Sequence, residues 1–154
     1  MQSTPGAPPA VRREAWIAAP PDVVFAFLTD PLRRIRWAGA QTESDPRPGG
    51  AHRTVINAGH VVSGAYVEVL PNRRVVCTWG WVDSPRIPPG SSAVEFDLAA
   101  QDGGTLLSVA HAGLPDAARE GHAEVWDHYL PRLATAAAGR DPGPDPWGAD
   151  ATDS

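Results

Sequence analysis

Apart from the carboxylates, the side chains able to move a proton are few: five histidines, two tyrosines and one cysteine. His52 and His111 are the pair of most interest, because both fall at inward-facing positions of strand-like runs and an imidazole can donate, accept or relay a proton near neutral pH. If they enter one pocket, they supply the acid and base for an enolisation or dehydration, with Tyr66 assisting. If they do not, each is a core histidine satisfied by a carbonyl or a water. Thirteen arginines stand beside no lysine at all, which excludes lysine nucleophiles, Schiff bases and phosphate-loop chemistry. Arg36 and Arg53 are candidates to hold a carboxylate at a pocket mouth, against the ordinary alternative of solvated surface arginines. Glu124 and His128 have the i, i+4 spacing of two ligands on one helix face, but with no HExxH motif and no third ligand neither a metal nor a cofactor is expected. Ser63, Ser91, Ser92 and Ser108 lack a nucleophile-elbow motif, and the glycines fall at turns without forming a dinucleotide fingerprint.

The elements that must position these residues are readable from periodicity. Val11–Ala18 places Val11, Ala15 and Ile17 on one side of a first strand, with Arg13 an exception. Pro20-Pro21 stops it and opens a short helix to Thr29, and Asp30-Pro31 caps a second short helix to Trp37 that carries Arg33, Arg34 and Arg36. Six strands then alternate with turn clusters: 41–44, 51–56, 61–70, 73–82, 93–99 and 105–111. A helix over 116–138 follows, with Trp126, Tyr129, Leu130, Leu133, Ala134 and Ala137 along one stripe and Pro131 a point of kinking.

Register follows if Pro71-Asn72 closes a two-residue hairpin, so that Leu70 opposes Arg73. One face then collects Val62, Gly64, Tyr66, Glu68, Val75, Cys77, Trp79 and Trp81, and is taken as interior, with Gly64 leaving room for the Trp79 indole. The other collects Ala65, Val67, Val69, Arg74, Val76 and Thr78. Val94, Phe96 and Leu98 alternate with Glu95 and Asp97, while Leu107, Val109 and His111 share a face. His52, Thr54 and Ile56 alternate with Arg53 and Val55, where polar residues fall on both sides.

Composition bounds the rest. The formal charge is −5 and the isoelectric point near 5.4, which argues against nucleic-acid binding. No run approaches the roughly 18 apolar residues of a membrane span, and the opening MQSTPGAPPA has neither a basic nor an apolar leader region. Cys77 is the only cysteine, so a cytoplasmic protein without an internal disulfide is expected. The expected organisation is a flexible arm over 1–10, one domain over 11–139 and a disordered, acidic, proline-rich tail over 140–154.

In order and spacing the chain resembles the α+β helix-grip fold of the START-like (SRPBCC) superfamily, which includes Bet v 1 and polyketide aromatase/cyclases. More narrowly it is similar to bacterial single-domain proteins related to the C-terminal domain of the activator of Hsp90 ATPase. The matching pieces are Ala19-Pro20-Pro21, Val24-Phe25, Leu28-Thr29-Asp30-Pro31, Trp37, Gly49-Gly50, Gly64-Ala65-Tyr66-Val67-Glu68-Val69, Thr78-Trp79-Gly80-Trp81, Gly104-Thr105, His111-Ala112-Gly113-Leu114, Trp126, Tyr129-Leu130 and Leu133. The resemblance implies a curved antiparallel sheet, two short helices after the first strand and a long C-terminal helix over an apolar cavity. Phe27, Trp37, His52, Thr54, Ile56, Tyr66, Cys77, Trp79, Trp81, Val94, Phe96, Leu107, Val109, His111, Trp126 and Leu130 are expected to line it. Tyr66, Trp79, Trp81 and Trp126 are placed to stack on a flat ligand or simply to fill the core.

Three functions are consistent with this reading. The first is binding of a small hydrophobic or aromatic molecule. The second is a cyclase- or aromatase-like enzyme using the pocket histidines. The third is a protein-interaction or stress-related co-chaperone-like module, as a homodimer through the sheet edge or the Arg33, Arg34, Arg36 helix. With six tryptophans in 154 residues, composition points to an apolar pocket more than to catalytic apparatus.

Overall fold

In the computed structural model, which describes residues 9–147, the chain runs β1 (Ala10–Ile17), α1 (Pro21–Thr29), α2 (Pro31–Arg34), β2 (Gln41–Ser44), β3 (Ala51–Asn57), β4 (His60–Leu70), β5 (Arg74–Trp81), β6 (Ser92–Gln101), β7 (Gly104–Ala112) and α3 (Asp116–Ala137). The seven strands form one antiparallel sheet in the order β1-β7-β6-β5-β4-β3-β2. Only β1 is out of sequence order: it pairs with the last strand, Val11 beside His111 and Ile17 beside Thr105. This is the helix-grip architecture, with α3 packed along the inner face.

Local chemistry accounts for the element boundaries. Pro21 fits the first turn of α1 because its missing N–H would have no helical acceptor there. Asp30 caps α2, its Oδ1 accepting from the Leu32 amide at 2.9 Å. The expected helix to Trp37 shortens to a single turn, then continues as turns in which the Trp37 and Ala38 amides both donate to the Arg34 carbonyl. Through Pro131, which lies on the exposed side, α3 runs as one continuous helix.

The alternating faces of β6 and β7 stand as read, Val94 beside His111, Phe96 beside Val109 and Leu98 beside Leu107, all buried. At the β4–β5 hairpin two departures cancel. Leu70 pairs with Arg74, so the loop has three residues, and a bulge between Tyr66 and Glu68 takes up the extra residue. Beyond the bulge Tyr66 meets Cys77 and Val62 meets Trp81, as the two-residue count requires. Between bulge and turn the faces exchange. Glu68 therefore does not face the interior; it joins the Arg74 guanidinium at 2.8 Å on the outer face, while Val69, paired with Val75, packs against the core. Gly64 also has a different purpose from the one expected. A Cβ there would collide with the Thr78 carbonyl and come within 2.7 Å of His52 Nε2, so the space it leaves belongs to that backbone and ring and not to the Trp79 indole.

Both ends differ from the sequence reading. Of the N-terminal arm, Ala10 already pairs with Ala112 in the sheet, and residues 1–8 lie outside the described residues. The tail is not free from residue 140. Arg132 on α3 donates to the carbonyls of Pro142, Gly143 and Pro144, and Asp145 accepts from Tyr129, so residues 140–147 return along the helix as a strap. Backbone carbonyls, which composition does not reveal, hold it in place. Residues 148–154 of the expected tail lie outside the described residues.

The core sits between α3 and the concave face. Trp126 is buried against Trp79 and Phe96, with ring centroids 5.4 and 5.8 Å away. Removing roughly 200 Å² of indole from water at about 25 cal/mol per Å² is worth about 5 kcal/mol.

Candidate binding site

The two expected proton carriers occupy opposite halves of the concave face, separated by β6, β5 and β4. On β7, His111 has every polar atom engaged. The Ser92 hydroxyl donates to the Trp79 carbonyl at 2.8 Å, which leaves its oxygen to accept from His111 Nε2 at 2.9 Å. Nδ1 then accepts from Trp126 Nε1 at 3.2 Å. The network thus assigns a neutral ring protonated at Nε2. Burial and the neighbouring His122 push its pKa down to about 3. His122 is occupied in the same way: Nε2 accepts from Trp81 Nε1 at 3.0 Å and Nδ1 donates to the Ala118 carbonyl at 3.0 Å. Burial lowers its pKa as well. These rings pack edge to face with their centroids 5.3 Å apart, as neutral aromatics do. The β6–β7 half is closed and satisfied.

The half formed by α2 and β2 to β4 is different. His52 on β3 donates from Nε2 to the Thr78 carbonyl at 2.7 Å, leaving Nδ1 buried without a partner. Its pKa is held down to about 4, chiefly by burial and further by the charge of Arg34. Tyr66 shares a 2.6 Å hydrogen bond with Ser44, and burial raises its pKa. Cys77 is buried, and burial pushes its thiol up to about 11, so it is a neutral packing group at pH 7. No hydrogen bond or ring contact links His52 to His111, and the convergence that an acid–base pair requires is absent among the described residues.

Sequence reasoning placed Arg34 on an exposed basic helix; it is 6% exposed. Arg34 and Trp37 are three residues apart on one helical turn, so burying Trp37 carries the arginine inward with it. The guanidinium lies 5.8 Å from the Trp37 ring centroid and donates from Nη1 to the Leu28 carbonyl at 3.2 Å. Arg36 and Arg53, the two arginines weighed as carboxylate anchors, are exposed and line neither the interior cavity nor the groove described below.

A cavity of about 20 Å³ lies between α2, the sheet and α3, lined by Arg34, Trp37, Ala38, Thr54, Ile56, Val62, Trp79, Trp126 and Tyr129. It has room for about one water. Ile56 also borders a groove of about 290 Å³ with Asn57, His60, Trp81, Val125 and Trp147. Trp147, delivered by the strap, stacks on His128 at 4.0 Å and accepts at its carbonyl from Asn57 Nδ2 at 3.0 Å. His128, weighed with Glu124 as a metal pair, instead bonds Asp145 at 2.8 Å.

All the residues expected to line a pocket are buried except Trp81, which is half-buried. Trp37, Thr54, Ile56, Trp79 and Trp126 border the cavity, and Ile56 and Trp81 border the groove. Phe27, His52, Tyr66, Cys77, Val94, Phe96, Leu107, Val109, His111 and Leu130 touch neither, because side chains of α1, α3 and the sheet fill the space around them. Arg34, Ala38, Val62 and Tyr129 on the cavity, with Asn57, His60, Val125 and Trp147 on the groove, were absent from the expected lining. Val62 and Tyr129 already lay on apolar faces in the sequence, and the i, i+3 relation to Trp37 was the available signal for Arg34.

A family model described as Activator of Hsp90 ATPase homolog 1-like protein matches residues 18–138. The solution structure of an AHSA1-like protein from Rhizobium etli is 48% identical, with 95% of this chain and 92% of that chain covered and a TM-score of 0.72. A crystal structure from Chromobacterium violaceum is 27% identical over 84% of this chain and 96% of that one, also with a TM-score of 0.72. An uncharacterized Schizosaccharomyces pombe protein is 29% identical over 118 residues, 76% of this chain, which spans about a third (34%) of that protein's length. Among the described residues no helix is long and apolar enough to cross a membrane.

Proposed function

The chain belongs to the family of Activator of Hsp90 ATPase homolog 1-like proteins, and from that premise we propose that it binds a small apolar or aromatic molecule between the concave sheet and α3. The observation that carries this reading is the groove walled by Ile56, Trp81, Val125 and Trp147, which shares Ile56 as a lining residue with the interior cavity. Its walls are apolar with a few polar atoms at the rim, the usual make-up of a small-molecule site. Trp81 Nε1 is committed to His122, so its indole is fixed in place to form a wall. Catalysis by the histidines lacks comparable support: His111 is fully engaged inside the core, and His52 is far below the pKa that suits proton transfer at neutral pH.

The test uses 2-naphthylmethanol, a neutral aromatic probe. Saturable binding by calorimetry is expected, with a rise in melting temperature and perturbation of the Trp81 indole resonance. Ile56→Trp, which fills the junction of groove and cavity, should abolish binding while leaving the circular dichroism spectrum unchanged. Absence of saturable binding by the wild-type chain, or undiminished binding by a folded Ile56→Trp variant, would overturn the reading.

A further inference from the structure

Five buried side-chain atoms among the described residues have no hydrogen-bond partner: Arg34 Nε, Thr42 Oγ1, His52 Nδ1, Thr54 Oγ1 and Trp79 Nε1. Three of them belong to residues that border the same 20 Å³ cavity, namely Arg34, Thr54 and Trp79. A guanidinium and an indole can only donate, and a threonine hydroxyl can donate as readily as accept. The unmet demand of the three residues that border this cavity is therefore for an acceptor; His52 Nδ1, an unpartnered acceptor in the same half, does not border it. It is also for negative charge. No carboxylate among the described residues lies within ion-pair distance of Arg34; the nearest acidic residue in sequence, Asp30, is paired with Arg33. An isolated buried cation is costly, and a fold that keeps one inside an otherwise apolar core gains from placing an anion beside it.

We propose that Arg34, Thr54 and Trp79 form the anion-receiving end of the binding site, so that the bound molecule is an aromatic or apolar acid whose carboxylate displaces the one water this cavity has room for and widens it, while its ring system occupies the groove at Trp81. This rests on the binding reading above and adds the chemical class of the ligand to it. A water can accept from two donors and leaves the charge uncompensated. A carboxylate has two oxygens, accepts from all three donors and neutralises the guanidinium. The remaining lining, with the Trp37, Ile56 and Val62 side chains, excludes water and strengthens that pairing. Arginine, with its planar fork of donors, suits carboxylates better than a point charge would.

The experiment compares 2-naphthoate with 2-naphthylmethanol, which share a ring system and differ in the acid, and adds sodium acetate as the head group alone. Wild-type protein should bind naphthoate at least about tenfold more tightly than the alcohol, as expected for a charge-assisted pair. Naphthoate alone should move the Trp79 indole N–H resonance downfield, assigned with Trp79→Phe. Arg34→Met should remove the preference for the acid, bringing naphthoate affinity down to that of the alcohol measured on the same variant. Thr54→Val, which keeps the shape, should weaken naphthoate only. If Arg34→Met does not fold, the Thr54→Val comparison and the Trp79 signal decide the question. Equal affinity of wild-type protein for acid and alcohol, an equal loss for both in the variants, or acetate binding as tightly as naphthoate would overturn the proposal while leaving the binding reading intact. Failure of both aromatic probes to bind would remove the binding reading itself.

Discussion

Unfolding of this protein should take up protons in the mildly acidic range, and the size of the effect follows from two buried rings. His52 and His111 are 1% and 0% exposed, with folded pKa values of about 4 and about 3 against an ordinary 6.5. A base with a depressed folded pKa contributes stability that is fully present above 6.5 and is lost as pH falls towards the folded value. Near pH 5 the unfolded chain therefore holds about two more protons than the folded one. That is a slope of about 2.7 kcal/mol per pH unit. Integrated from pH 7.5 to pH 5, each histidine removes about 2 kcal/mol and the pair about 4 kcal/mol, a large part of a typical 5–15 kcal/mol. His122, shifted the same way by burial, adds to the loss. Urea denaturation followed by tryptophan fluorescence at half-unit intervals from pH 5 to 8 measures the slope directly. His111→Gln and His52→Asn should each reduce it by about one proton, whatever they do to stability at pH 8. A wild-type stability that is flat from pH 5 to 7 would mean that both rings ionise freely in the folded protein. The assignment of neutral, enclosed imidazoles would then be wrong.

Two other substitutions probe separate parts of the frame. Gly64→Ala drives a Cβ into the Thr78 carbonyl and the His52 ring, so a loss of about 1–3 kcal/mol or more is expected, because one obstacle is backbone and cannot turn aside; a variant as stable as wild type in urea would contradict the packing of β3 on β5 across Gly64. Arg132→Met removes donors to the Trp37, Pro142, Gly143 and Pro144 carbonyls, and should cost about 1–2 kcal/mol while accelerating amide exchange at Gly143 and Trp147. Unchanged exchange at those amides would show that Asp145 alone secures the strap.

How much of this was legible in the sequence varied with the physical contrast available. On β6, Val94, Phe96 and Leu98 alternate with charged residues, so one reading survives, and the pairing with β7 agrees with it. On β4 the contrast is weak. Val67 and Val69 are equally apolar, and nothing in residue type marks Val67 as the bulged position, which ends up 54% exposed. On β3 the contrast is also weak, yet the alternation stands: His52, Thr54 and Ile56, taken as inward, are buried although two of them are polar. The strap escaped for a related reason. Proline and aspartate argue against regular structure, and correctly so, but a segment without regular structure can still be anchored by side chains elsewhere, here Arg132 and Tyr129.

The candidate site followed the same division. Its apolar members were visible as buried aromatics, whereas its one charged member, Arg34, was read only as part of the Arg33, Arg34, Arg36 helix and not as a lining residue. The structure shows why its burial matters. At His111 donors and acceptors run in one chain from Trp126 through His111 and Ser92 to the Trp79 carbonyl, leaving no atom of that chain unpaired. Such a set needs nothing further and fixes the packing of β5 to β7 against α3. Around Arg34 the same count fails to close: its Nε, the Trp79 indole N–H and the Thr54 hydroxyl are left over beside a positive charge, and His52 Nδ1 is an unpartnered acceptor in the same half. Arg34 Nη1 satisfies the Leu28 carbonyl, but its Nε and its charge are the part of the cluster that the proposed carboxylate would complete. On the binding reading proposed above, the unbalanced half is where a ligand would complete the protein, and the balanced half the wall against which it would do so.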